Sequence, residues 1–178
     1  NLVYGLEDVN GFNSLQLRRH VDLLGSPEFE DISYGLLAWT GAADFRESVL
    51  NLFNVRYVLV PDQHVNIVPT SYRTIYSDRD VTIFENPFYY QRVFFVDNVI
   101  PELDSAVILQ NVKSPDFDAR RTAWVEATPE DLRLSGLSSQ NDVSSARGAA
   151  EIVDRNPNTI RIDASTKESK FLFLSETY

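Results

Sequence analysis

The stretch that most constrains the fold is DFRESVLNLFNVRYVLVP, residues 44 to 61, because it specifies a helix, a turn and a strand in immediate succession. The helix is predicted from apolar residues that recur at the spacing of one helical face: Phe45, Val49, Leu52 and Phe53. Asn54 follows at the position where a helix favours a residue that tolerates the left-handed conformation. The sequence therefore predicts a short helix with one apolar side that ends at Asn54.

The strand predicted next is apolar along nearly its whole length. Residues 55 to 60 read VRYVLV, and Pro61 is expected to end the strand because proline donates no hydrogen bond to a neighbouring strand. Apolar side chains would emerge on both faces, so we expect a central strand that is covered on both sides. This stretch contains no nucleophile, no paired acids and no metal-ligand spacing, and it therefore indicates structure rather than chemistry.

Composition and charge exclude several classes of protein. A chain of 178 residues, 43% of them hydrophobic and 12% aromatic, can bury a normal core and is not a disordered tail. The formal net charge of −10 argues against a nucleic-acid partner and against docking on an anionic lipid surface. Because there is no cysteine, neither a disulfide nor thiolate chemistry is possible.

Two further features bear on the origin of the chain. It contains no methionine and begins at Asn1, so we expect it to be an excised or processed piece of a longer protein. No apolar run approaches the roughly 18 residues that a membrane span requires, and no signal peptide is visible. The piece itself is therefore expected to be soluble, whatever its parent protein is.

Helical and strand patterns alternate in the first part of the sequence, whereas strand patterns dominate the end. Helices are predicted at 13–24, 45–53, 101–112 and 129–132. Strands are predicted at 55–60, 72–76, 81–84, 92–96, 122–127, 150–154, 159–164 and 171–175, and the turn at 77–80 predicts that the second and third form a hairpin. This order predicts an α+β fold, with a mixed α/β lobe at 1–97 followed by a β-rich, sandwich-like lobe with one helix at 98–178.

The last predicted strand, FLFLS at 171–175, is apolar enough to be buried on both faces. An earlier strand such as 159–164 is expected to pair with one of its edges. Little sequence follows, so the other edge is expected to stay open unless a strand from earlier in the chain pairs with it. We therefore expect the sheet to be incomplete at this strand.

Few residues offer catalytic or metal-binding chemistry. His20 and His64 have no partners that the sequence can place, so neither a metal site nor a Ser–His–Asp triad is indicated. The acidic runs at 28–31 and 116–118 leave a paired-carboxylate glycosidase open, although exposed acidic runs are usually only solvated. We therefore expect no catalytic residue, no metal and no cofactor in this chain.

The aromatic run Phe88, Tyr89 and Tyr90 is a candidate binding feature. Three consecutive side chains cannot all face inward from an extended chain, so at least one ring is expected to be exposed. Exposed aromatic rings stack on sugar rings, although most aromatic residues in a chain of this size belong to the core. The run therefore indicates a binding surface, with core packing as the alternative.

The polar entry of the chain is the candidate glycan-binding segment. Its side chains are those that hydrogen-bond well to sugar hydroxyls from a loop: Asp8, Asn10, Asn13, Ser14 and, one helical turn later, Arg18. The structural alternative is that Asn13 or Ser14 caps the first helix and that Asp8 closes a turn.

Five segments, taken together and in this order, carry a family resemblance. They are YGLEDVNGFNSL at 4–15, LFNVRY at 52–57, FENPFYYQRVF at 84–94, FDARRTAWVE at 117–126 and the strand-rich end from 152. The chain resembles the extracytoplasmic region of the YfhO-like bacterial membrane proteins, relatives of the glycosyltransferases built on a polytopic membrane core. It departs from their pattern at four positions: Phe12 for tyrosine, Phe53 for leucine, and Gln91 and Ala119 for proline.

The resemblance implies a location and a parent protein. The chain would be a periplasmic or cell-surface domain, tethered to the membrane in the full-length protein, with the transmembrane core of its own parent chain as its partner. The parent would transfer or handle polyprenyl-linked sugars in the bacterial cell envelope. In such glycosyltransferases the catalytic acid is expected on a loop between membrane helices, so the resemblance places no catalytic residue here.

The expected function is therefore that of a non-catalytic extracytoplasmic domain that positions a glycan or acceptor, or supports the membrane core. Two alternatives stay open: a free-standing carbohydrate hydrolase that uses paired carboxylates, and a protein-interaction module. Hydrophobic spans encoded upstream of Asn1 would distinguish the first reading from the other two.

Overall fold

A computed structural model of the chain describes residues 19, 22–23, 45, 47–137, 148–156 and 158–176. The chain divides into two compact units, Asn1–Tyr90 (the first unit) and Gln91–Tyr178 (the second unit). The predicted mixture of helices and strands is confirmed: the described residues form several small sheets with helices between them, and no closed barrel.

The described residues of the first unit include a helix, a 3₁₀ helix and one sheet, and Arg19, Asp22 and Leu23 are also helical. The bounds of the elements are α1 Glu47–Leu52, β1 Tyr57–Pro61, the 3₁₀ helix Asp62–Ile67, β2 Arg73–Ser77 and β3 Val81–Glu85. The second unit is richer in strands. Its elements are β4 Val93–Val96, β5 Asn98–Pro101, α2 Ser105–Val112, β6 Thr122–Val125, α3 Pro129–Leu134, β7 Ala149–Asn156, β8 Thr159–Ser165 and β9 Phe171–Leu174.

Helix α1 ends where the sequence predicts. Asn54 has a φ of 59°, the left-handed conformation that asparagine tolerates better than most residues. The amide of Asn54 donates to the carbonyl of Asn51 (3.1 Å), and the amide of Val55 donates to that of Leu50 (2.9 Å). This pair of bonds is the Schellman motif, which satisfies carbonyl groups that the end of a helix would otherwise leave unpaired.

The first unit packs its core under one antiparallel sheet in the order β1-β3-β2. Four buried residues form the centre of this core: Val60, Ile67, Val68 and Tyr72. Partly buried hydrophobic side chains surround them: Phe45, Val58, Val65 and Phe84. Since Val58 and Val60 alternate with outward-facing residues along β1, only one face of this strand contacts the core.

The prediction that β1 is a central strand covered on both faces is wrong. Within the described residues β1 pairs only with β3 and lies at an edge of its sheet. Tyr57 and Leu59 on its outer face are 45% and 63% exposed. Valine and tyrosine are enriched in strands whether one face or both faces are buried, so an all-apolar strand pattern does not by itself fix burial.

The second unit consists of three two-stranded sheets within its described residues. Strands β5 and β6 are parallel and are joined through α2, β4 pairs antiparallel with β9, and β7 and β8 form an antiparallel hairpin. The predicted helix from residue 101 begins later, because Pro101 belongs to β5. Asp104 instead caps α2, its carboxylate accepting a hydrogen bond from the amide of Ala106 (2.8 Å).

The last strand pairs with one earlier strand, as predicted, but that strand is β4 rather than the segment at 159–164 given as the example. Strand β9 pairs with β4, in a register that sets Val96 opposite Phe171 and Val93 opposite Leu174, and not with β8. The rings of Phe94 and Phe173 pack with their centroids 5.0 Å apart, so aromatic contact favours this pairing. Within the described residues no second strand pairs with β9, and its other edge is open.

Glu176, directly beyond β9, ties together distant parts of the second unit. Its carboxylate accepts hydrogen bonds from Arg92 before β4 (3.0 Å) and from Arg155 in β7 (3.0 Å). Lys170 lies 4.0 Å from the carboxylate of Asp97.

In the described part of the chain, the helices are too short or too polar to cross a membrane.

Candidate binding site

The residues predicted for glycan binding are not among those that the structure describes. Asp8, Asn10, Asn13, Ser14 and Arg18 lie outside the described residues, as does the acidic run at 28–31. Their proposed roles therefore stay predictions. The residues that carry the resemblance at 52–57 and 84–87, by contrast, are all described, and they meet at one place in the first unit.

Asn86 lies at the centre of this meeting point and is completely buried. Its side-chain amide donates to Oδ1 of Asn51 (2.7 Å) and to the carbonyl of Val55 (2.9 Å), while its Oδ1 accepts from the amide of Phe88 (2.9 Å). The backbone amide of Asn86 donates to the carbonyl of Arg56 (2.8 Å). One asparagine thus joins α1, the entry to β1 and the turn after β3. It has the satisfied hydrogen bonding that a buried amide requires.

Asn54 reinforces the same junction. Its side chain donates to the carbonyl of Tyr90, and the backbone amide of Tyr90 donates to the carbonyl of Asn51 (3.1 Å). The aromatic run therefore lies against the end of α1. These contacts give the asparagines of both motifs a structural role.

On the outer side of the sheet, two arginines converge on one carboxylate. Arg56 donates from Nε (3.3 Å) and Nη2 (3.1 Å) to Oε1 of Glu85, and Arg73 donates from Nη2 to Oε2. The guanidinium of Arg56 also lies 5.1 Å from the ring centroid of Tyr57 and 5.6 Å from that of Tyr89. We refer to Arg56, Tyr57, Arg73, Glu85 and Tyr89 as the Arg–Tyr cluster.

The strand register explains why these side chains share one face. Tyr57 in β1 is opposite Glu85 in β3, and Glu85 is opposite Arg73 in β2. Directly opposed residues project to the same side of an antiparallel sheet, so the three form a row across it. A second row on the same face contains Leu59, Ile83 and Tyr76.

Hydrogen bonding in the Arg–Tyr cluster fixes its charges. Bonds from Arg73, and then from Arg56, hold the pKa of Glu85 below its usual range, because they favour the ionised carboxylate. The bond to Glu85, with smaller contributions from the neighbouring tyrosines, raises the pKa of Arg56. The cluster therefore carries two positive charges and one negative charge at neutral pH. Glu85 holds no proton to donate.

Other carboxylates in the described residues close turns and caps. Asp78 accepts from the hydroxyl of Tyr76 (2.7 Å) and from the amides of Asp80 and Val81, which lowers its pKa. Asp118 accepts from the amide of Arg120 (2.9 Å). Among the described residues, the carboxyl groups whose pKa is clearly shifted are all shifted downward: Asp78, Glu85, Glu130 and Asp131. A general acid needs the opposite shift.

The chemistry of the cluster suits binding. Exposed tyrosine rings offer apolar faces, and the guanidinium groups offer hydrogen-bond donors in fixed directions. Within the described residues, no group of three or more histidine, aspartate or glutamate side chains is arranged to hold a metal ion.

The prediction that one ring of the aromatic run is exposed is confirmed by Phe88, which is 49% exposed. No pattern in the sequence identified Arg56, Arg73 and Glu85 as neighbours. A regular hairpin around the turn would set Thr74 opposite Glu85, and it is the bulge between Thr74 and Tyr76 that brings Arg73 to that position, so residue spacing could not identify this pair. Comparisons with protein-family models, with curated proteins and with solved structures found no match to this chain.

Proposed function

We propose that this chain is a non-catalytic extracytoplasmic domain of a polytopic bacterial membrane protein related to the glycosyltransferases that use lipid-linked sugars. In the full-length protein it would be tethered to the membrane, pack against its own transmembrane core, and help to position a glycan or acceptor. Catalysis would belong to the membrane part of the parent.

The proposal is supported by the structural roles of the residues that carry the family resemblance. Asn54 caps α1, Asn86 fills a buried hydrogen-bonding site, and Arg56 pairs with Glu85. The residues that carry the family resemblance at 52–57 and 84–87 thus hold two chain segments together. Such structural roles are expected of a domain that supports a membrane core or positions a glycan. The side chains are engaged in holding the fold and are not placed to react with a substrate.

The charges point the same way. A hydrolase with paired carboxylates needs one acid that keeps its proton near neutral pH. The shifted carboxyl pKa values in the described residues are lowered by arginines, hydroxyls and backbone amides, so these groups are suited to accept hydrogen bonds. A binding role agrees better with such groups.

The decisive experiment is to sequence the gene upstream of the codon for Asn1. The proposal expects several hydrophobic segments of about 20 residues in the same reading frame, each long enough to cross a membrane. A short reading frame with no such segment on either side of this chain would overturn it.

An activity assay tests the catalytic alternative independently. The purified chain is expected to release no chromophore from a panel of aryl glycosides above the rate of a buffer blank. Turnover that disappears when Glu85 is replaced by glutamine would contradict the non-catalytic assignment.

A further inference from the structure

We propose that the outer face of the β1-β3-β2 sheet is a glycan-binding site for neutral pyranose sugars, with Tyr57 and Tyr76 as stacking platforms and Arg73 as a hydrogen-bond donor. This inference rests on the proposed function, to which it adds a location and a ligand class. The predicted polar segment at 8–18 plays no part in it.

The apolar side chains of this face are unusually exposed to solvent. Leu59 is 63% exposed, and Tyr57, Ile75 and Tyr76 are each close to half exposed. The inner face of the same sheet contributes Val60 and Thr82, which are buried. Neighbouring apolar side chains left open on a sheet face mark an interaction surface more often than single ones do.

The arrangement of rings and charges fits a sugar. Tyr57 lies at one end of the first row and Tyr76 at the opposite end of the second, so the rings sit on the two edge strands with β3 between them. Two strand spacings separate β1 from β2 by about 10 Å, a span that suits a short oligosaccharide. Pyranose rings present C–H groups to aromatic faces and hydroxyls to the polar groups alongside.

The existing ion pairs favour a neutral ligand. Both oxygens of Glu85 already accept hydrogen bonds from arginine, so an anionic ligand would have to compete with this carboxylate, in a chain whose net charge is −10. An arginine has five N–H donors. The bonds to Glu85 engage two nitrogens of Arg56 and one of Arg73.

Sugar hydroxyls can therefore accept from the remaining donors without breaking a pair. The side chain of Arg73 is 75% exposed and is the more accessible of the two guanidinium groups. Because the pairing to Glu85 holds both arginines in place, little side-chain freedom is lost on binding. The same pairing disfavours an anionic polymer and an acidic protein surface.

The test titrates the isotope-labelled 178-residue chain with cellotriose, maltotriose and chitotriose, and follows amide chemical shifts by NMR. At least one trisaccharide is expected to bind at millimolar concentration, with the largest shifts at residues 57–59, 73–76 and 83–85. Tyr57→Leu should weaken this binding about tenfold, because it removes the stacking face. Tyr57→Phe keeps the ring and should bind within about twofold of the parent chain.

Leu134→Ala serves as the control, since Leu134 is an even more exposed apolar side chain (71%) in the second unit, and its truncation should leave affinity unchanged. Thermal unfolding of each variant checks that the fold is intact. Binding with shifts confined to other surfaces, or equal affinity for Tyr57→Leu and the parent chain, would overturn the proposed location. Failure of all three sugars to bind would overturn the ligand class, while the upstream gene sequence tests the proposed function separately.

Discussion

The two units of this chain are held together by different means. The first has a single three-stranded sheet over an apolar core, and buried asparagines connect its helix to its strands. The second has three separate two-stranded sheets, and arginines converge on one glutamate at its last strand. Both units thus contain a glutamate shared by two arginines, but within the described residues only the first adds a buried junction of neutral amides.

The difference between the units predicts which substitutions should lower the stability of each unit most. A buried amide that loses its partner is left without water, so its removal is costly. An ion pair near solvent can be replaced by hydration at small cost. We therefore expect the largest single-residue effects at the asparagine junction and smaller ones at the ion pairs.

Replacing Asn86 by alanine should give the largest effect. The change leaves the buried Oδ1 of Asn51 and the part-buried carbonyl of Val55 and amide of Phe88 without these partners, and it should lower the free energy of unfolding by about 3 kcal/mol. Urea denaturation measures the loss. Asn66→Ala, at an exposed position of the same unit, should cost less than about 0.5 kcal/mol. Equal losses for both variants would refute a special role for the junction.

Replacing Gly148 by alanine tests the packing of the second unit. A Cβ there would lie 2.5 Å from Cδ2 of Phe95 and 2.8 Å from the backbone oxygen of Ser165, so unfolding free energy should fall by about 2 kcal/mol. Gly136→Ala should cost only about 1 kcal/mol. Its φ of +72° is unfavourable for alanine, but an added Cβ would lie 3.9 Å from its nearest neighbour, Oγ of Ser169. Thermal denaturation of both variants gives the ranking, and a reversed order would contradict the packing argument.

Replacing Glu176 by glutamine should cost about 1 kcal/mol, because the pairs it makes with Arg92 and Arg155 are only partly shielded from water. The loss should shrink at high salt, which screens exposed charges. Glu168→Gln, at an exposed position between β8 and β9, is the control and should be nearly neutral. A cost as large as that of Asn86→Ala would show that the two units do not differ in the way described.

Tyr72→Phe should have a small effect of the opposite sign. The hydroxyl of Tyr72 is buried and has no hydrogen-bond partner within the described residues, while its ring packs edge-on against Phe45. Burial, and to a lesser degree the charge of Glu47, raises the pKa of this hydroxyl. Removing the hydroxyl should raise the free energy of unfolding by up to about 1 kcal/mol. Thermal denaturation should show this as a slightly higher melting temperature. A clear loss of stability would show that the hydroxyl has a partner.

The smallest effect concerns pH. Because the pKa of Glu85 is lowered in the folded state, its pairing stabilises the fold above the usual glutamate range, and this contribution is lost as pH falls through the lowered pKa. An NMR titration of the Glu85 carboxyl should show the low pKa directly. Arg73→Gln should move the pKa up toward the usual range, whereas Arg79→Gln, in the adjacent turn, should not. An unchanged value in the Arg73 variant would exclude the pairing.

The sequence predicted features that depend on near neighbours. The cap at Asn54 and the hairpin of β2 and β3 follow from residue type and spacing within a few positions, and both are present. The helix before Val112 was placed too early because Pro101 suits the first turn of a helix as well as the end of a strand.

Features set by distant pairing escaped prediction. Nothing in the residues of β9 indicates that its partner is β4, and nothing in β1 indicates that its outer face is open. The Arg–Tyr cluster depends in the same way on the register of three strands, of which only the hairpin could be inferred. Sequence patterns specify the faces of an element, and the partner of each face is decided elsewhere in the chain.

The pairing of β4 with β9 also governs the order in which this protein can assemble as it leaves the ribosome. The two strands are the first and last of the second unit, so every other element of that unit is synthesised before they can meet. The hairpin of β2 and β3, by contrast, can close as soon as it emerges. Until β9 is made, the N–H and C=O groups on the pairing edge of β4 lack their partner strand, and an unpaired strand edge is a site where chains can aggregate.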